Sequence, residues 1–278
     1  MLATKSANRM SVPRLAATVM LARAATPGFE LYMTRRSERS SFAADAFVFP
    51  GGTVEPQDYS EQIAAYTLGL EAQRMAAEFR ATVPAELPSD VEPIDSRDAA
   101  ALLNAALREA FEEAGILPAR TRAGDAVEAP AMHAADVQTA RAAIVSGGLT
   151  FAEFLERRDW FADARTLTFF SHWITPPSEP RRFNTHFFLA PAPPGQAGLA
   201  DAVETHEGRW ISPRAALERY RAGRFRLVYP TIKHLERLAS FESLDDALAF
   251  ARAKPVLTIL PARSANGFTM PAPLENAW

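Results

Sequence analysis

Cysteine is absent from this chain of 278 residues, which excludes disulfide bonds, thiolate nucleophiles and zinc sites built on cysteine. Any metal ion must therefore be bound by oxygen or by imidazole. A strong charge of either sign is also missing: the net charge is −3 with neutral histidines, which gives no general attraction to nucleic acid or to an anionic membrane. A polyanionic substrate would need a local group or a metal ion to neutralise it.

Long hydrophobic runs are missing as well. No apolar run approaches the roughly 20 residues that span a bilayer, and the apolar stretch 10–25 is interrupted by Pro13, Arg14 and Arg23, which favours a strand. Residues 1–14 contain no apolar signal core, and the C-terminus carries no targeting tripeptide. We therefore expect a cytoplasmic protein that binds neither membrane nor nucleic acid.

Strand-like and helix-like patterns are mixed along the whole chain. Short apolar or aromatic runs predict strands over residues 15–21, 29–33, 46–49, 166–174, 183–190, 208–211 and 256–260. Helical spacing and stop signals predict helices over residues 60–79, 96–115, 134–145, 150–157, 213–222, 229–241 and 243–253. This mixture predicts an α/β core with helical insertions.

The predicted helix over residues 96–115 carries a cluster of carboxylates. At about 100° per residue, its apolar side chains fall on one arc, a core-facing stripe made of Leu103, Leu107, Ala110, Phe111 and Ala114. Glu109, Glu112 and Glu113 fall on the other side, at spacings that bring them within one turn of each other.

Clustering these acids is unfavourable for the helix. Like charges at this spacing repel, and the last turn of a helix disfavours anions, while Arg108 offsets only part of the cost. A divalent cation would account for the arrangement. Oxygen ligands with no thiolate or histidine nearby favour Mg²⁺ or Mn²⁺. The alternative is a solvated, glutamate-rich surface.

Together with an upstream turn, this helix resembles the box of the Nudix hydrolase family, G-x5-E-x7-R-E-U-x-E-E-x-G-U, where U is a bulky apolar residue. Its second half is matched by Arg108, Glu109, Ala110, Glu112, Glu113, Gly115 and Ile116, with Ala110 small for its position. Residues 49–55, Phe-Pro-Gly-Gly-Thr-Val-Glu, resemble the first half. Asp58 stands where the box has its first Glu, and 49 residues instead of seven separate it from Arg108, an insertion of 42.

The split box resembles one Nudix branch, the peroxisomal coenzyme A diphosphatases and their bacterial relatives. Further similar segments lie at residues 31–37, 172–176, 181–185, 204–207 and 210–213, so that the resemblance spans residues 15–238. It implies an α/β/α Nudix sandwich with a mixed sheet, a helical insertion inside the box and a helical C-terminal segment. We predict one domain over residues 10–262, helical insertions at 59–103 and 120–165, and a tail at 263–278.

The resemblance also implies roles for the box residues. Glu109, Glu112, Glu113 and the carbonyl of Gly51 would bind Mg²⁺ or Mn²⁺, and a residue without Cβ at position 51 lets the backbone approach an ion closely. Arg108 would orient the carboxylates through salt bridges to Asp58 or Glu112. Asp58 in place of Glu shortens the arm of this bridge by one methylene.

The resemblance also implies a general base and phosphate ligands. The base would be Glu109 on the helix or Glu204 in the loop before the strand that contains Trp210. Glu204 is preferred, as a metal ligand or as the base; its alternative is an ordinary loop carboxylate, and Glu207 competes for the role. Substrate phosphates would bind to three arginines that follow the second predicted strand, Arg35, Arg36 and Arg39. His172 is expected to be packed and hydrogen-bonded instead of catalytic.

The resemblance implies a metal-dependent hydrolase that cleaves the diphosphate linkage of a nucleoside diphosphate derivative. Coenzyme A or acyl-CoA is the first substrate hypothesis, and ADP-ribose or NADH is the alternative. A Nudix-fold binding module without catalysis ranks third, because all three box acids are present. Nudix proteins are often dimers, so the resemblance also allows a homodimer.

Overall fold

The computed structural model describes residues 12–38, 43–71, 79, 94–200, 205–265, 267–275 and 278. Within this part the strands are β1 (Arg14–Ala24), β2 (Phe29–Arg36), β3 (Phe47–Val48), β4 (Gly51–Thr53), β5 (Thr67–Leu68), β6 (Ala119–Thr121), β7 (Trp160–Asp163), β8 (Thr168–Ile174), β9 (Phe183–Pro191), β10 (Thr205–Ile211), β11 (Thr258–Ile259), β12 (Ala262–Ser264) and β13 (Gly267–Thr269). The helices are α1 (Glu61–Ala65), α2 (Ser96–Ala114), α3 (Ala129–Met132), α4 (Ala135–Val145), α5 (Phe151–Arg158), α6 (Pro213–Arg221), α7 (Tyr229–Leu238) and α8 (Leu244–Ala253).

The main sheet is mixed, as predicted. Its strand order is β10-β2-β1-β9-β8-β11, with β3 paired to β2 and β4 paired to β1. Strand β1 runs parallel to β9, and β8 runs parallel to β11, whereas β1 is antiparallel to β2 and to β4. This arrangement places the glycine-containing strand β4 directly beside the central strand β1.

Two hydrophobic cores lie on opposite faces of this sheet. Because side chains alternate along a strand, β1 directs Val19 and Leu21 into the core that contains α2, and Met20 and Ala22 into the core that contains α6, α7 and α8. The protein is therefore an α/β/α sandwich with a helical C-terminal segment, which confirms the predicted fold class.

The predicted helix over residues 60–79 is wrong over residues 66–71. Helix α1 ends at Ala65, and β5 then pairs in parallel with β7, with the amide of Ala162 donating to the carbonyl of Tyr66 at 2.9 Å. Thr67 is β-branched and Gly69 adopts a φ of +89°, so both favour an extended chain that turns. Residues 72–78 lie outside the described part.

A second sheet joins the two predicted insertions. Its strand order is β5-β7-β6, so it contains a strand from the insertion within the box and two strands from the later insertion. The insertions are therefore mixed in secondary structure, and describing them as helical was incomplete. Pairing partners more than 90 positions away in the chain, such as Thr67 and Ala162, leave no local signal in the sequence.

The C-terminal residues contribute to the second core. Met270, Leu274 and Trp278 are buried there beside α7 and α8. The division into one domain, two insertions and a tail stays a prediction. In the described part of the chain, no helix is long and apolar enough to cross a membrane.

Three histidines are buried in and beside strands β8 and β9. His172 bonds to Thr258 at 2.8 Å and to Asn184, while His234 of α7 bonds to Ser171 at 2.6 Å and to the carbonyl of Pro230 at 2.7 Å. Burial lowers the pKa of His172 to about 4 and that of His234 to about 3, and it holds the pKa of His186 well below its ordinary value. His172 is thus a packed, hydrogen-bonded residue, as expected.

Acidification should destabilise the protein through these histidines. In the unfolded chain they take up protons near pH 6.5, whereas the folded pKa of His172 is about 4 and that of His234 about 3. The unfolded state then binds more protons below pH 6.5, so the free energy of unfolding falls by up to about 1.4 kcal/mol per pH unit for each histidine. Urea unfolding between pH 7 and pH 5 measures this slope. In His234→Gln the slope should be shallower, and an unchanged slope would contradict the assignment.

Candidate active site

The two halves of the split box lie against each other. Strand β4 pairs antiparallel with β1, and this pairing holds Gly51 and Gly52 beside the last turns of α2. The amide of Gly51 donates to Glu113 Oε2 at 3.3 Å. A Cβ atom added to Gly52 would lie 2.2 Å from Glu109 Oε1. The insertion therefore leaves the turn and the carboxylate helix in direct contact.

Helix α2 is buried on almost every side. It begins at a capping box formed by Asp95 and Asp98 and ends at Gly115, which adopts a left-handed φ of +62°. The sheet covers one side, and the later insertion covers another, so 14 of its 19 residues are buried. Glu109 is 9% exposed and Glu113 is 3% exposed, which excludes the alternative of a solvated, glutamate-rich surface.

Arg108 lies at the centre of the carboxylate cluster and bonds to three of its acids. Its Nε and Nη2 atoms bond to the two carboxylate oxygens of Asp58, each at 2.9 Å, and both side chains are 2% exposed. Its Nη1 atom bonds to Glu109 at 2.8 Å and to Glu112 at 3.4 Å. Such a bidentate pair fixes the guanidinium plane. Arg108 therefore contacts two of the three carboxylates that are predicted to bind metal.

The short arm of Asp58 reaches Arg108 because the backbone approaches the helix. Asp58 lies in a single 3-10 turn, Pro56–Tyr59, where its carboxylate also accepts from the amide of Glu55 at 2.9 Å. The side chain of Asn104 on α2 donates to the carbonyl of Asp58 at 2.9 Å and holds this turn against the helix. The predicted salt bridge between Arg108 and Asp58 is thus formed.

The cluster is poor in positive charge. Burial raises the pKa of Glu112 to about 7; the charge and hydrogen bond of Arg108 oppose this shift, and Glu109 and Glu55 add to it. Burial would lower the pKa of Arg108, but the hydrogen bond to Asp58 and the charges of Glu109, Asp58 and Glu112 raise it above its ordinary value. Three carboxylates, those of Asp58, Glu109 and Glu112, contact this one guanidinium, so a further cation would be stabilised here.

The donor set fits a hard divalent cation. All of its ligand atoms are oxygens, and Gly51 and Gly52 leave no side chain between the β4 backbone and the carboxylates. Among the described residues, no group of three or more acids or histidines is arranged to coordinate a metal ion without side-chain movement. The reason is that Glu109 and Glu112 turn toward Arg108, while Glu113 accepts from the Gly51 amide.

Gly52→Ala should disturb the carboxylates more than the fold. Its new Cβ meets the end of the Glu109 side chain, which can move, instead of backbone. We expect kcat to fall by roughly 10²-fold, the effect of misplacing a catalytic group by about 1 Å, with a small change in melting temperature. Gly148→Ala is the matched control, because its Cβ has no contact closer than 3.6 Å. Wild-type turnover in Gly52→Ala would contradict this geometry.

The predicted phosphate ligands are not equivalent. Arg35 lies on the face of β2 that carries Leu31 and Met33, and it pairs with Asp45 at 2.6 Å and Glu207 at 3.9 Å. Arg36 points to the opposite face, the one covered by α2, and is partly buried. Two other predicted residues, Arg39 and Glu204, lie outside the described part.

Sequence analysis missed two residues that organise the site. Asn104 is the one polar residue in the apolar run 99–107 of α2, and that irregularity was the available signal. Arg141 lies on α4 and donates to the carbonyl of Glu112, but nothing in the sequence around it points to α2. Both act on backbone carbonyls, which carry no side-chain signature.

Comparison with known proteins decides the family. The family model described as the NUDT19 Nudix domain matches residues 11–238. This chain is a member of the Nudix hydrolase family. A crystal structure of a Nudix hydrolase from Alicyclobacillus acidocaldarius has a TM-score of 0.68 and 27% identity to this Nudix hydrolase, and the match covers 86% of this chain and 97% of that one.

Two curated relatives of this Nudix hydrolase carry the same name. The acyl-coenzyme A diphosphatase NUDT19 of Gallus gallus is 32% identical over 86% of this chain and 71% of its own length. The protein of that name in Homo sapiens is 31% identical over 80% of this chain and 64% of its own length. Nudix hydrolases generally require a divalent cation, in agreement with the oxygen donors of this site.

Proposed function

We propose that this Nudix hydrolase cleaves the diphosphate linkage of coenzyme A or acyl-CoA, with Mg²⁺ or Mn²⁺ held by Glu109, Glu112, Glu113 and the carbonyl of Gly51. The substrate proposal rests on the relatives named acyl-coenzyme A diphosphatase, of which this chain spans 71% in Gallus gallus and 64% in Homo sapiens. The contact of the Gly51–Gly52 turn with Glu109 and Glu113 supports the metal site.

The carboxylates and Arg108 would have different roles in this reaction. Glu109, Glu112 and Glu113 present oxygen ligands, while Arg108, fixed by Asp58, holds the first two in place. A bound divalent ion supplies charge neutralisation on the diphosphate and lowers the pKa of the attacking water. The burial of Glu109 and Glu113 strengthens their interaction with a cation, because surrounding water screens it less.

The general base stays a choice between Glu109 and Glu204. Glu207 has lost support, because it pairs with Arg35 and Arg209. Substitution by glutamine separates the two remaining candidates. Glu204→Gln should lose turnover and keep its affinity for Mn²⁺ if Glu204 is the base, whereas Glu109→Gln should lose both.

Arg36 is the preferred phosphate ligand among the three candidate arginines. It shares a strand face with Tyr32 and Thr34, the face on which α2 lies, whereas Arg35 pairs with carboxylates on the other face. Arg39 stays a prediction. Arg36→Gln should raise KM for the substrate more than it lowers kcat, and Arg35→Gln provides the matched comparison.

A substrate panel tests the proposed activity. Coenzyme A, acyl-CoA, ADP-ribose, NADH and a dinucleoside polyphosphate are each incubated with Mg²⁺ or Mn²⁺, and the phosphate-containing products are identified. Hydrolysis of coenzyme A or acyl-CoA at the highest kcat/KM supports the proposal, and preferred hydrolysis of ADP-ribose or NADH replaces the substrate. No hydrolysis of any compound, with retained binding, favours a non-catalytic module. The homodimer and the cytoplasmic location stay predictions.

A further inference from the structure

Arg141 joins three segments that are distant in sequence. It lies on α4 in the later insertion, and it is 5% exposed. Its Nε and Nη2 atoms donate to the carbonyl of Glu112 at 3.0 and 2.8 Å, and Nη2 also donates to the carbonyl of Leu199 at 2.6 Å. A buried guanidinium thus connects the insertion, the end of α2 and the segment before β10.

These contacts complete the C-terminal end of α2. The last four carbonyls of a helix have no partner within the helix. Arg141 donates to the carbonyl of Glu112, and the amide of Leu199 donates to the carbonyl of Ala114 at 2.7 Å. Gly115 leaves room for the guanidinium, because a Cβ atom there would lie 3.1 Å from Arg141 Nη1. The end of the helix is therefore built around this arginine.

The contact of Arg141 with α2 affects the carboxylates because it lies in the turn that carries them. The side chains of Glu112 and Glu113 extend from the turn whose backbone Arg141 holds. A positive charge at a helix C-terminus is favourable, and here it offsets acids placed at the disfavoured end. Arg141 donates to the backbone carbonyl of Glu112, so these bonds do not occupy its carboxylate, which Arg108 contacts only at 3.4 Å. The rigid, planar fork of an arginine suits this task better than a lysine.

We propose that Arg141 is a positioning residue for the metal-binding carboxylates, so that the later insertion contributes directly to the active site. The inference rests on the proposed role of Glu112 and Glu113 as metal ligands. It assigns to the insertion the orientation of the last turn of α2 and of the backbone at Leu199.

Mn²⁺ titration calorimetry on the full chain tests this inference, together with kcat and KM for acyl-CoA. In Arg141→Met, we expect the Kd for Mn²⁺ to rise by roughly 10-fold or more, the usual effect of removing a residue that orients a metal ligand. The kcat should fall while KM for acyl-CoA changes little. Arg141→Lys should lie between this variant and the wild type, because lysine keeps the charge and loses the fork.

Arg158→Gln is the matched control. Arg158 lies on α5 in the same insertion and pairs with Asp136 of α4, so its loss perturbs the insertion without touching α2. It should leave the Kd for Mn²⁺ unchanged. A purely structural role for Arg141 would lower the melting temperature of Arg141→Met and leave Mn²⁺ binding of the folded protein as in the wild type, and that result overturns the inference.

The test remains decisive if one of its parts fails. If circular dichroism shows that Arg141→Met does not fold, wild-type Mn²⁺ affinity in Arg141→Lys overturns the inference, and a raised Kd supports it. If the wild type hydrolyses no compound of the panel, the proposed function fails, while the Mn²⁺ titrations still decide the role of Arg141. If the wild type does not bind Mn²⁺, both proposals fail.

Discussion

Replacing Glu112 with glutamine is expected to lower kcat/KM by roughly 10²- to 10³-fold. A catalytic metal ion contributes several kcal/mol of charge stabilisation in the transition state, and each ~1.4 kcal/mol changes the rate tenfold. Glu112 is central to the effect, because it lies in the last turn of α2 between the Arg108 guanidinium and the backbone contact to Arg141. Steady-state kinetics over a range of Mg²⁺ concentrations measures the loss.

The same substitution should not destabilise the metal-free protein. Glutamine has the shape of glutamate, and the change removes a charge from a cluster in which buried carboxylates repel one another. The melting temperature without metal should therefore be equal to or above that of the wild type, while the increase caused by Mg²⁺ should shrink. Glu61→Gln, an exposed residue of α1, is the control and should behave as the wild type. Intact Mg²⁺-dependent turnover in Glu112→Gln would disprove the metal site.

The carboxylate helix was predictable from the sequence because its acids are close together in the chain. Helix periodicity placed Glu109, Glu112 and Glu113 within one turn, and the structure buries the predicted apolar arc of α2. The Gly51–Gly52 turn was recognisable because glycine pairs are strong turn signals. The resemblance to the split box then joined the two halves, which lie in contact.

What the sequence did not predict depends on contacts between distant segments. Helical spacing over residues 60–79 indicated a helix, but around residues 66–71 the pairing of Thr67 with Ala162 overrode that local preference. The predicted strand over residues 29–33 ended before Arg35 and Arg36, whereas β2 extends to Arg36 and so places these two side chains on opposite faces of the sheet. Arg141 reaches α2 through backbone carbonyls that are present at every position, so no residue type marks the target.

The buried pair of Arg108 and Asp58 is expected to dominate the stability of the site. Removing Arg108 leaves Asp58 as an uncompensated buried charge, which costs roughly 3–5 kcal/mol. Arg108→Met should lower the free energy of unfolding by about this amount, as measured by urea denaturation. Asp58→Asn should cost less, because Arg108 keeps its contacts to Glu109 and Glu112. The estimate applies here because both side chains are 2% exposed and joined by two hydrogen bonds of 2.9 Å.

The double variant Asp58→Asn/Arg108→Met distinguishes the pair from two independent losses. Because it removes both charges, its destabilisation should be smaller than the sum of the single variants. Arg122 and Asp159 provide the matched control, since they also form a bidentate pair, with Nη2–Oδ1 at 2.6 Å, but are 68% and 50% exposed. Solvent screens such a pair, so substitutions there should change stability little. If the losses in free energy of unfolding at Asp58 and Arg108 are additive, the charge of Arg108 is compensated by Glu109 and Glu112 and not by Asp58. The acids at the end of α2, and not the 3-10 turn, would then stabilise the arginine.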